Sequence, residues 1–187
     1  VFTNICKARS LLDLGVMKEA SIIENVKILR PMLKLEKKEV YLYAYTNNIP
    51  FFKDTTPKWS VRGKYRNNVY PVLIDTFGEN VKKNLINFNA QAEEWGEMIT
   101  NCIIEPFINS CDFQKEYVAF PLVFNHPLCF WNVVFMKLFY HYGYSCPSKK
   151  GMNTFMEHIK NRTYGNIPIS KTCICTLENN HITIHFI

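Results

Sequence analysis

Glycine is scarce in this chain of 187 residues, and the few glycines are far apart. There are seven: Gly15, Gly63, Gly78, Gly96, Gly143, Gly151 and Gly165. A loop that holds phosphate groups with its backbone N–H groups needs several glycines close together. No stretch of the sequence meets that requirement, so these residues alone contain no recognisable nucleotide-binding loop.

Long apolar runs are also missing. A membrane-spanning helix requires about 20 consecutive apolar residues, and no segment provides them. The seven cysteines are an odd number without the spacing of a secreted disulfide framework, and no signal peptide precedes them. Reduced thiols in the cytoplasm are the simpler interpretation. Because the chain opens with Val1 in an apolar segment, we expect it to begin partway through a larger protein.

Common catalytic and metal-binding signatures are absent as well. The sequence has neither a Gly-x-Ser-x-Gly nucleophile turn nor a His-Glu-x-x-His pair. A predicted hairpin near the end places two cysteines close to two histidines, a set that would suit zinc. These residues are Cys173, Cys175, His181 and His185. Ordinary alternation along two strands produces the same pattern, so we predict no metal site.

Positive charge is present in excess and is unevenly distributed. The net charge is +6, and apolar residues make up 48% of the chain, which is ample for a packed core. Residues 1–80 carry 13 Lys/Arg against 8 Asp/Glu, whereas residues 81–187 carry 9 against 8. A surface that faces a polyanion such as a nucleic acid is therefore expected in the first half.

The basic residues are densest in residues 51–68, which we call the basic segment. Five of them fall between Lys53 and Arg66, interleaved with aromatic and hydroxyl side chains, and Asp54 is the one acid. Cations neutralise phosphates, aromatic rings stack on bases, and hydroxyls hydrogen-bond to phosphate or ribose oxygens. The composition fits an RNA-binding loop and also a solvated surface loop, and both interpretations stay open at this point.

Apolar periodicity predicts a mixture of helices and strands, hence a mixed α/β chain, in which a long helix that begins near residue 80 can join two domains. Helices are predicted over residues 1–14, 36–47, 80–102, 127–142 and 148–161. Strands are predicted at residues 26–29 and 49–52 and in a terminal hairpin of residues 172–177 and 181–186. Residues 105–120 are predicted to be irregular.

Several short motifs occur in order over the first part of the chain. They are FTNICK at residues 2–7, ILRPML at 28–33, EVYLYAY at 39–45, IP at 49–50, DTT at 54–56 and RN at 66–67, followed by Pro71. This order resembles the second half of the catalytic domain of tRNA(Ile) lysidine synthetases, which belong to the PP-loop, or N-type ATP pyrophosphatase, family.

The resemblance implies a fold for each domain. Residues 1–79 would hold the last strands of a parallel, Rossmann-like ATPase sheet of the adenine nucleotide alpha hydrolase type. Residues 80–187 would form a linker helix and a mostly helical tRNA-binding domain that ends in a β-hairpin.

The resemblance also implies a chemistry. In that family, ATP adenylates C2 of the wobble cytidine of a tRNA, the amine of lysine attacks, and AMP leaves. The implied activity is an ATP-dependent ligase that uses ATP with Mg²⁺, and lysine as co-substrate. The implied partner is tRNA(Ile) with a CAU anticodon, together with a second copy or an upstream half of the same protein. No membrane partner is expected.

By position, individual residues take roles from the resemblance. Lys7 and Arg30 match residues near the phosphates of ATP. Asp54, Arg66 and Asn67 match a motif expected to order the catalytic loop, although Asp54 would also suit a turn cap or an ion pair with Arg66. Three cations of the basic segment are expected to contact tRNA phosphates: Lys58, Arg62 and Lys64.

The chain also departs from the family pattern. Ala8-Arg9-Ser10 stands where the family has a glycine-rich turn, and Pro57 follows the acid motif. The Ser-Gly-Gly-x-Asp-Ser nucleotide loop is absent from these residues, and we expect it upstream of Val1 or on another segment. A tRNA-thiolating enzyme of the same fold is an alternative, although such enzymes usually carry Cys-x-x-Cys motifs that this chain lacks. A non-catalytic RNA-binding module is another alternative.

Overall fold

A computed structural model describes residues 1–15, 17–23, 26–53, 55–122, 126–178 and 181–187. The chain divides into two compact units, Val1–Glu94 and Trp95–Ile187. Helices and strands both occur in the described part, which confirms the mixed α/β prediction. None of the described helices combines the length and the apolar character that crossing a membrane requires.

The first unit begins with short helices and a hairpin. Its elements up to residue 46 are α1 (Phe2–Cys6), a 3-10 turn (Leu11–Asp13), β1 (Ala20–Ile23), β2 (Val26–Leu29) and α2 (Lys37–Thr46). The predicted strand at residues 26–29 and the predicted helix at 36–47 are confirmed. The helix predicted over residues 1–14 is shorter than expected, because Ala8 adopts a left-handed backbone with φ of 51° and ends it.

The strands of the first unit pair with each other and not with a parallel sheet. Ala20 lies opposite Leu29 in an antiparallel pair. Only two residues separate β1 from β2 along the chain, and so short a connection cannot join parallel strands. Every strand pair among the described residues is antiparallel, so the predicted parallel sheet is not seen there.

Residues 49–52, predicted as a strand, form none. Phe51 instead packs against two rings of α2, with centroids 5.2 Å from Tyr41 and 5.3 Å from Tyr45. Phe51, which belongs to the apolar run that suggested a strand, therefore covers part of a helix.

The basic segment is helical in its second half, which the sequence predicted as loop. α3 (Val61–Lys64), a π-helical turn (Tyr65–Val69) and α4 (Tyr70–Phe77) follow one another without a break. Pro71 explains the π-helical turn. It has no N–H to continue the α-helical ladder, and Tyr70 donates instead to the carbonyl of Tyr65.

A second long helical run joins residues 81 and 109. It consists of α5 (Val81–Ile99), a π-helical turn (Thr100–Ile104) and α6 (Glu105–Asn109). Pro106 follows this π-helical turn just as Pro71 follows the first one. The helix predicted at residues 80–102 is confirmed, whereas residues 105–109, predicted to be irregular, are helical.

The second unit is built on a five-stranded antiparallel sheet in the order β3-β4-β7-β6-β5. The strands are β3 (Asp112–Phe113), β4 (Tyr117–Pro121), β5 (Gly165–Ile167), β6 (Cys173–Glu178) and β7 (His181–Phe186), and the helices are α7 (Leu128–His141) and α8 (Lys149–Asn161). The terminal hairpin and both helices confirm the sequence predictions. The second unit also contains three strands that the sequence did not predict, β3, β4 and β5, which are too short to show a clear alternation.

The main core lies in the second unit. Phe155 of α8 packs against two rings of α7, with centroids 5.2 Å from Trp131 and 4.8 Å from Phe135. The sheet adds fully buried side chains from three strands: Val118, Phe120, Leu177, Ile182 and Ile184. A side chain at Gly151 of α8 would overlap the carbonyl oxygen of Ile169, so helix and chain meet there through bare backbone.

Strand alternation separates the cysteines of the terminal hairpin from its histidines. Cys173 and Cys175 are buried in the core. His181 and His185 are exposed on the opposite face, where His185 pairs with Ile174. Zinc ligands must converge on one ion, which side chains on opposite faces of a sheet cannot do. No group of three or more potential ligands is assembled within the described ranges.

The first unit has little core of its own among the described residues. Leu14 and Ala92 are its buried hydrophobic side chains. Large apolar side chains remain exposed on its hairpin and helices, among them Ile22, Leu29, Leu42 and Val72. Phe88 of α5 is likewise 46% exposed.

Candidate nucleic-acid interface

The centre of the basic segment is a turn, residues 57–60, held by hydrogen bonds. The Ser60 hydroxyl accepts from the N–H of Gly63 at 3.0 Å and donates to the carbonyl of Pro57 at 2.7 Å. The N–H of Ser60 donates to the same carbonyl at 3.1 Å. A side chain at Gly63 would overlap that carbonyl oxygen, so the turn rests directly on the backbone of the helix. We call residues 57–60 the cap turn.

Four exposed cations lie on the cap turn and the helix that follows it. They are Lys58, Arg62, Lys64 and Arg66. No described acidic side chain forms an ion pair with any of them. No acidic residue occurs in the sequence between Thr55 and Ile74. This uncompensated charge is suited to the phosphates of a nucleic acid.

Three other lysines of the first unit are neutralised by carboxylates. Lys34 pairs with Glu19 at 2.8 Å. Lys38 and Lys82 pair with Glu36 at 3.0 and 3.2 Å, and their hydrogen bonds lower the pKa of that carboxyl group. The basic segment differs from the rest of the unit in the density of its unpaired cations, since four of them fall within residues 58–66.

Arg66 and Asn67 are exposed on the π-helical turn. Tyr65 anchors the other side of this turn by packing against Phe2 of α1, with ring centroids 5.6 Å apart. Burial raises the pKa of the Tyr65 hydroxyl. π-helical turns are frequent at functional sites. Asp54, the third residue predicted for this motif, lies outside the described residues.

The two residues predicted to meet ATP phosphates have different surroundings. Lys7 is exposed at the end of α1, the helix that contacts the π-helical turn through Phe2. Arg30 is partly buried beside the β1–β2 hairpin. Its Nη1 donates to the carbonyl of Lys18 and to the Ser21 hydroxyl, both at 2.9 Å. Arg30 therefore stabilises the hairpin, and its Nη2 and Nε have no hydrogen-bond partner among the described residues.

Exposed aromatic rings accompany the cations, and the sequence did not identify them as site residues. Phe52 is 91% exposed and Trp59 is 79% exposed. Composition indicates that aromatic residues are present, but exposure depends on packing: the neighbouring Phe51 is covered by α2. A shallow pocket of about 400 Å³ opens beside the end of α2, and Lys53 lies over the Tyr45 ring next to it.

These groups can bind a phosphate backbone and stack on bases. Residues 55–68 contain no His, Cys, Asp or Glu, and the side chains exposed there are of kinds that bind nucleic acids.

Comparison with known proteins adds a family context. No protein-family model matches the chain. It is 23% identical over 165 residues to a tRNA(Ile)-lysidine synthase of Chlamydia pneumoniae. The chain is similar to tRNA(Ile)-lysidine synthases. A tRNA(Ile)-lysidine synthase of Staphylococcus epidermidis is 28% identical over 111 residues, and one of Chlamydia caviae is 25% identical over 96 residues. The family resemblance predicted from the motifs is confirmed.

The matches cover more of this chain than of its relatives. The first covers 85% of the chain and 50% of the C. pneumoniae lysidine synthase. The S. epidermidis match covers 58% of the chain and 25% of that protein, and the C. caviae match covers 50% and 30%. The chain thus spans about half the length of the C. pneumoniae protein. We therefore give the activity of a whole lysidine synthase only as a proposal for this chain.

Proposed function

We propose that this chain forms the tRNA-facing part of a tRNA-modifying enzyme of the lysidine synthase type. The observation that carries the proposal is the sequence similarity to proteins named tRNA(Ile)-lysidine synthase, over 85% of the chain. The exposed cations Lys58, Arg62 and Lys64 support it. A tRNA that binds there would exchange its counterions for these side chains, and no acidic neighbour in residues 55–74 would repel it.

The proposed reaction joins lysine to C2 of the wobble cytidine of tRNA(Ile). ATP, with Mg²⁺, would transfer its adenylyl group to the oxygen on this carbon and release pyrophosphate, and the amine of lysine would then attack the carbon and displace AMP. Cations at the rim favour the negative charge of the phosphates involved. We assign Lys7 and Arg30 to the ATP phosphates, since Lys7 is exposed and Arg30 has Nη2 and Nε available. Asp54, Arg66 and Asn67 are assigned to ordering the rim.

The proposal extends to the whole enzyme. It would be cytoplasmic, would contain a parallel Rossmann-like ATPase sheet, and would divide into a catalytic domain ending near residue 79 and a tRNA-binding domain over residues 80–187. The described strands of this chain contribute only antiparallel pairs to that arrangement. A homodimer, or packing against an upstream half of the same protein, would cover the exposed apolar side chains of the first unit.

The proposed reaction is tested with the whole protein, as it is produced in the cell. It is incubated with tRNA, ATP and labelled lysine, and the label in the RNA is measured. Incorporation that depends on ATP supports lysidine synthesis. The incubation is repeated with a labelled sulfur donor, and incorporation of sulfur without lysine would indicate a thiolating enzyme. Tight tRNA binding without either label would indicate a non-catalytic RNA-binding module.

The binding surface is tested with the 187-residue chain and a double variant, Arg62→Ala with Lys64→Ala. Losing two phosphate contacts is expected to weaken tRNA binding. It should also make the plot of log association constant against log salt concentration less steep by about 2. The matched control is Lys27→Ala with Lys83→Ala, which removes the same charge from two exposed positions elsewhere in the first unit. If both double variants lower the slope equally, the basic segment is not the tRNA surface.

A further inference from the structure

Trp59 is displayed on a rigid support. It is 79% exposed, and its neighbours in the cap turn are fixed by the hydrogen bonds among Pro57, Ser60 and Gly63. The contact of Gly63 with the Pro57 carbonyl leaves the turn no space to sink toward the helix. A large apolar ring held outward in this way loses little conformational entropy when a ligand covers it.

The charges around Trp59 indicate what kind of ligand covers it. Lys58 precedes it, and Arg62, Lys64 and Arg66 follow within one short stretch without acidic neighbours. Cations beside a free aromatic plane are typical of surfaces that bind single-stranded nucleic acid. Phe52, the other strongly exposed ring of the basic segment, lies outside the cap turn that holds Trp59 in place.

We propose that Trp59 is a stacking anchor for an unpaired base of RNA, an inference that rests on the proposed function and adds to it. In a duplex the faces of the bases are already stacked on one another, so a protein ring has no face to cover. In a loop, bases are splayed out and stack on aromatic side chains. The basic segment would therefore select an unpaired stretch over a duplex, with the cations holding the flanking phosphates.

The test compares two RNA ligands with equal numbers of phosphates, a stem with an unpaired loop and a fully paired duplex. Removing the ring in Trp59→Leu is expected to weaken binding of the loop RNA about tenfold and to leave duplex binding and both salt slopes unchanged. Trp59→Phe keeps a plane and should recover most of the loss. The control is Tyr140→Ala, which removes an 85% exposed ring from the second unit.

A second readout does not depend on affinity. In a Trp95→Phe chain the remaining tryptophans are the exposed Trp59 and the fully buried Trp131. Loop RNA should quench the fluorescence of Trp59, and duplex RNA should not.

The outcomes separate this inference from the proposed function. If Trp59→Leu weakens both RNAs equally or neither, the stacking role is overturned. The proposed function would still stand in that case, provided that Arg62→Ala with Lys64→Ala lowers the salt slope. If Trp59→Leu alters self-association and leaves the preference for the loop RNA unchanged, the ring belongs to a protein interface and the inference is wrong. If the chain binds neither RNA, both proposals fail.

Discussion

Gly63 lies so close to the backbone carbonyl of Pro57 that no side chain fits between them. The Ser60 hydroxyl bridges the same two residues by hydrogen bonds of 3.0 and 2.7 Å. This contact joins the cap turn to the helix that carries most of the unpaired cations. The geometry of the candidate interface therefore depends on a residue that has no side chain.

Replacing Gly63 by alanine should loosen the cap turn. The added methyl group must displace the Pro57 carbonyl, and overpacking of this kind costs about 1–3 kcal/mol. The amide of Lys64, which donates to the Ser60 carbonyl at 2.8 Å, should then exchange with deuterium about tenfold faster or more. The control is Val61→Ala at a position 63% exposed. If the Lys64 amide exchanges at the same rate in Gly63→Ala, the turn accommodates the methyl group without losing stability, and the prediction is wrong.

The stability of the second unit should depend on Phe155. This ring is fully buried between the rings of α7, so Phe155→Ala should lower the free energy of unfolding by about 3–5 kcal/mol. Tyr140→Ala, on α7 but 85% exposed, should change it by less than about 0.5 kcal/mol. Urea unfolding followed by circular dichroism measures both. Similar losses in the two variants would contradict the described core.

The cysteines should differ in reactivity. Cys6, Cys102, Cys129 and Cys146 are exposed, whereas Cys111, Cys173 and Cys175 are buried. Burial raises the pKa of Cys111 and Cys173 to about 11, so few of these thiols ionise near neutral pH. Mass spectrometry after brief alkylation at pH 8 should find label on the exposed group only. Equal labelling of Cys173 and Cys6 would show that Cys173 is accessible to solvent, which would contradict its burial in the core.

The raised pKa values of Cys111 and Cys173 also make the free energy of unfolding depend on pH. In the unfolded chain these two thiols ionise near their ordinary pKa of 9.0, whereas in the folded chain they stay neutral up to about 11. Their contribution to stability is therefore complete below pH 9 and is lost progressively as the pH rises from 9 to 11. A Cys173→Ala chain should show a smaller fall in unfolding free energy over this range than the parent. An identical fall in both chains would contradict the burial of this thiol.

Elements with a long, regular pattern were predictable from the sequence. α2, α5, α7 and α8 show helical periodicity, and the terminal hairpin shows strict alternation, so their local signal agrees with the final fold. β3, β4 and β5 are short, and sheet pairing with distant residues stabilises them. The helix over residues 61–77 was missed because its charged first turns conceal the apolar positions.

The basic composition of the candidate site was predictable from the sequence. Which of its side chains are exposed and unpaired was not. The density of cations in the basic segment is visible in the sequence, as is the order of motifs shared with lysidine synthases. Which cations lack an ion-pair partner depends on where the carboxylates lie. Arg30 shows the limit: its motif suggested a ligand contact, whereas part of its guanidinium holds the hairpin.

The sequence by itself determined the mixed α/β character, the main helices, the terminal hairpin and the family resemblance, because these follow from local periodicity and from residue order. Only the tertiary structure decided which side chains share a face. It separated the cysteines of the hairpin from its histidines, covered Phe51 and left Trp59 exposed on the cap turn. The physical reason is that burial depends on contacts between residues far apart in the chain, which no local pattern specifies.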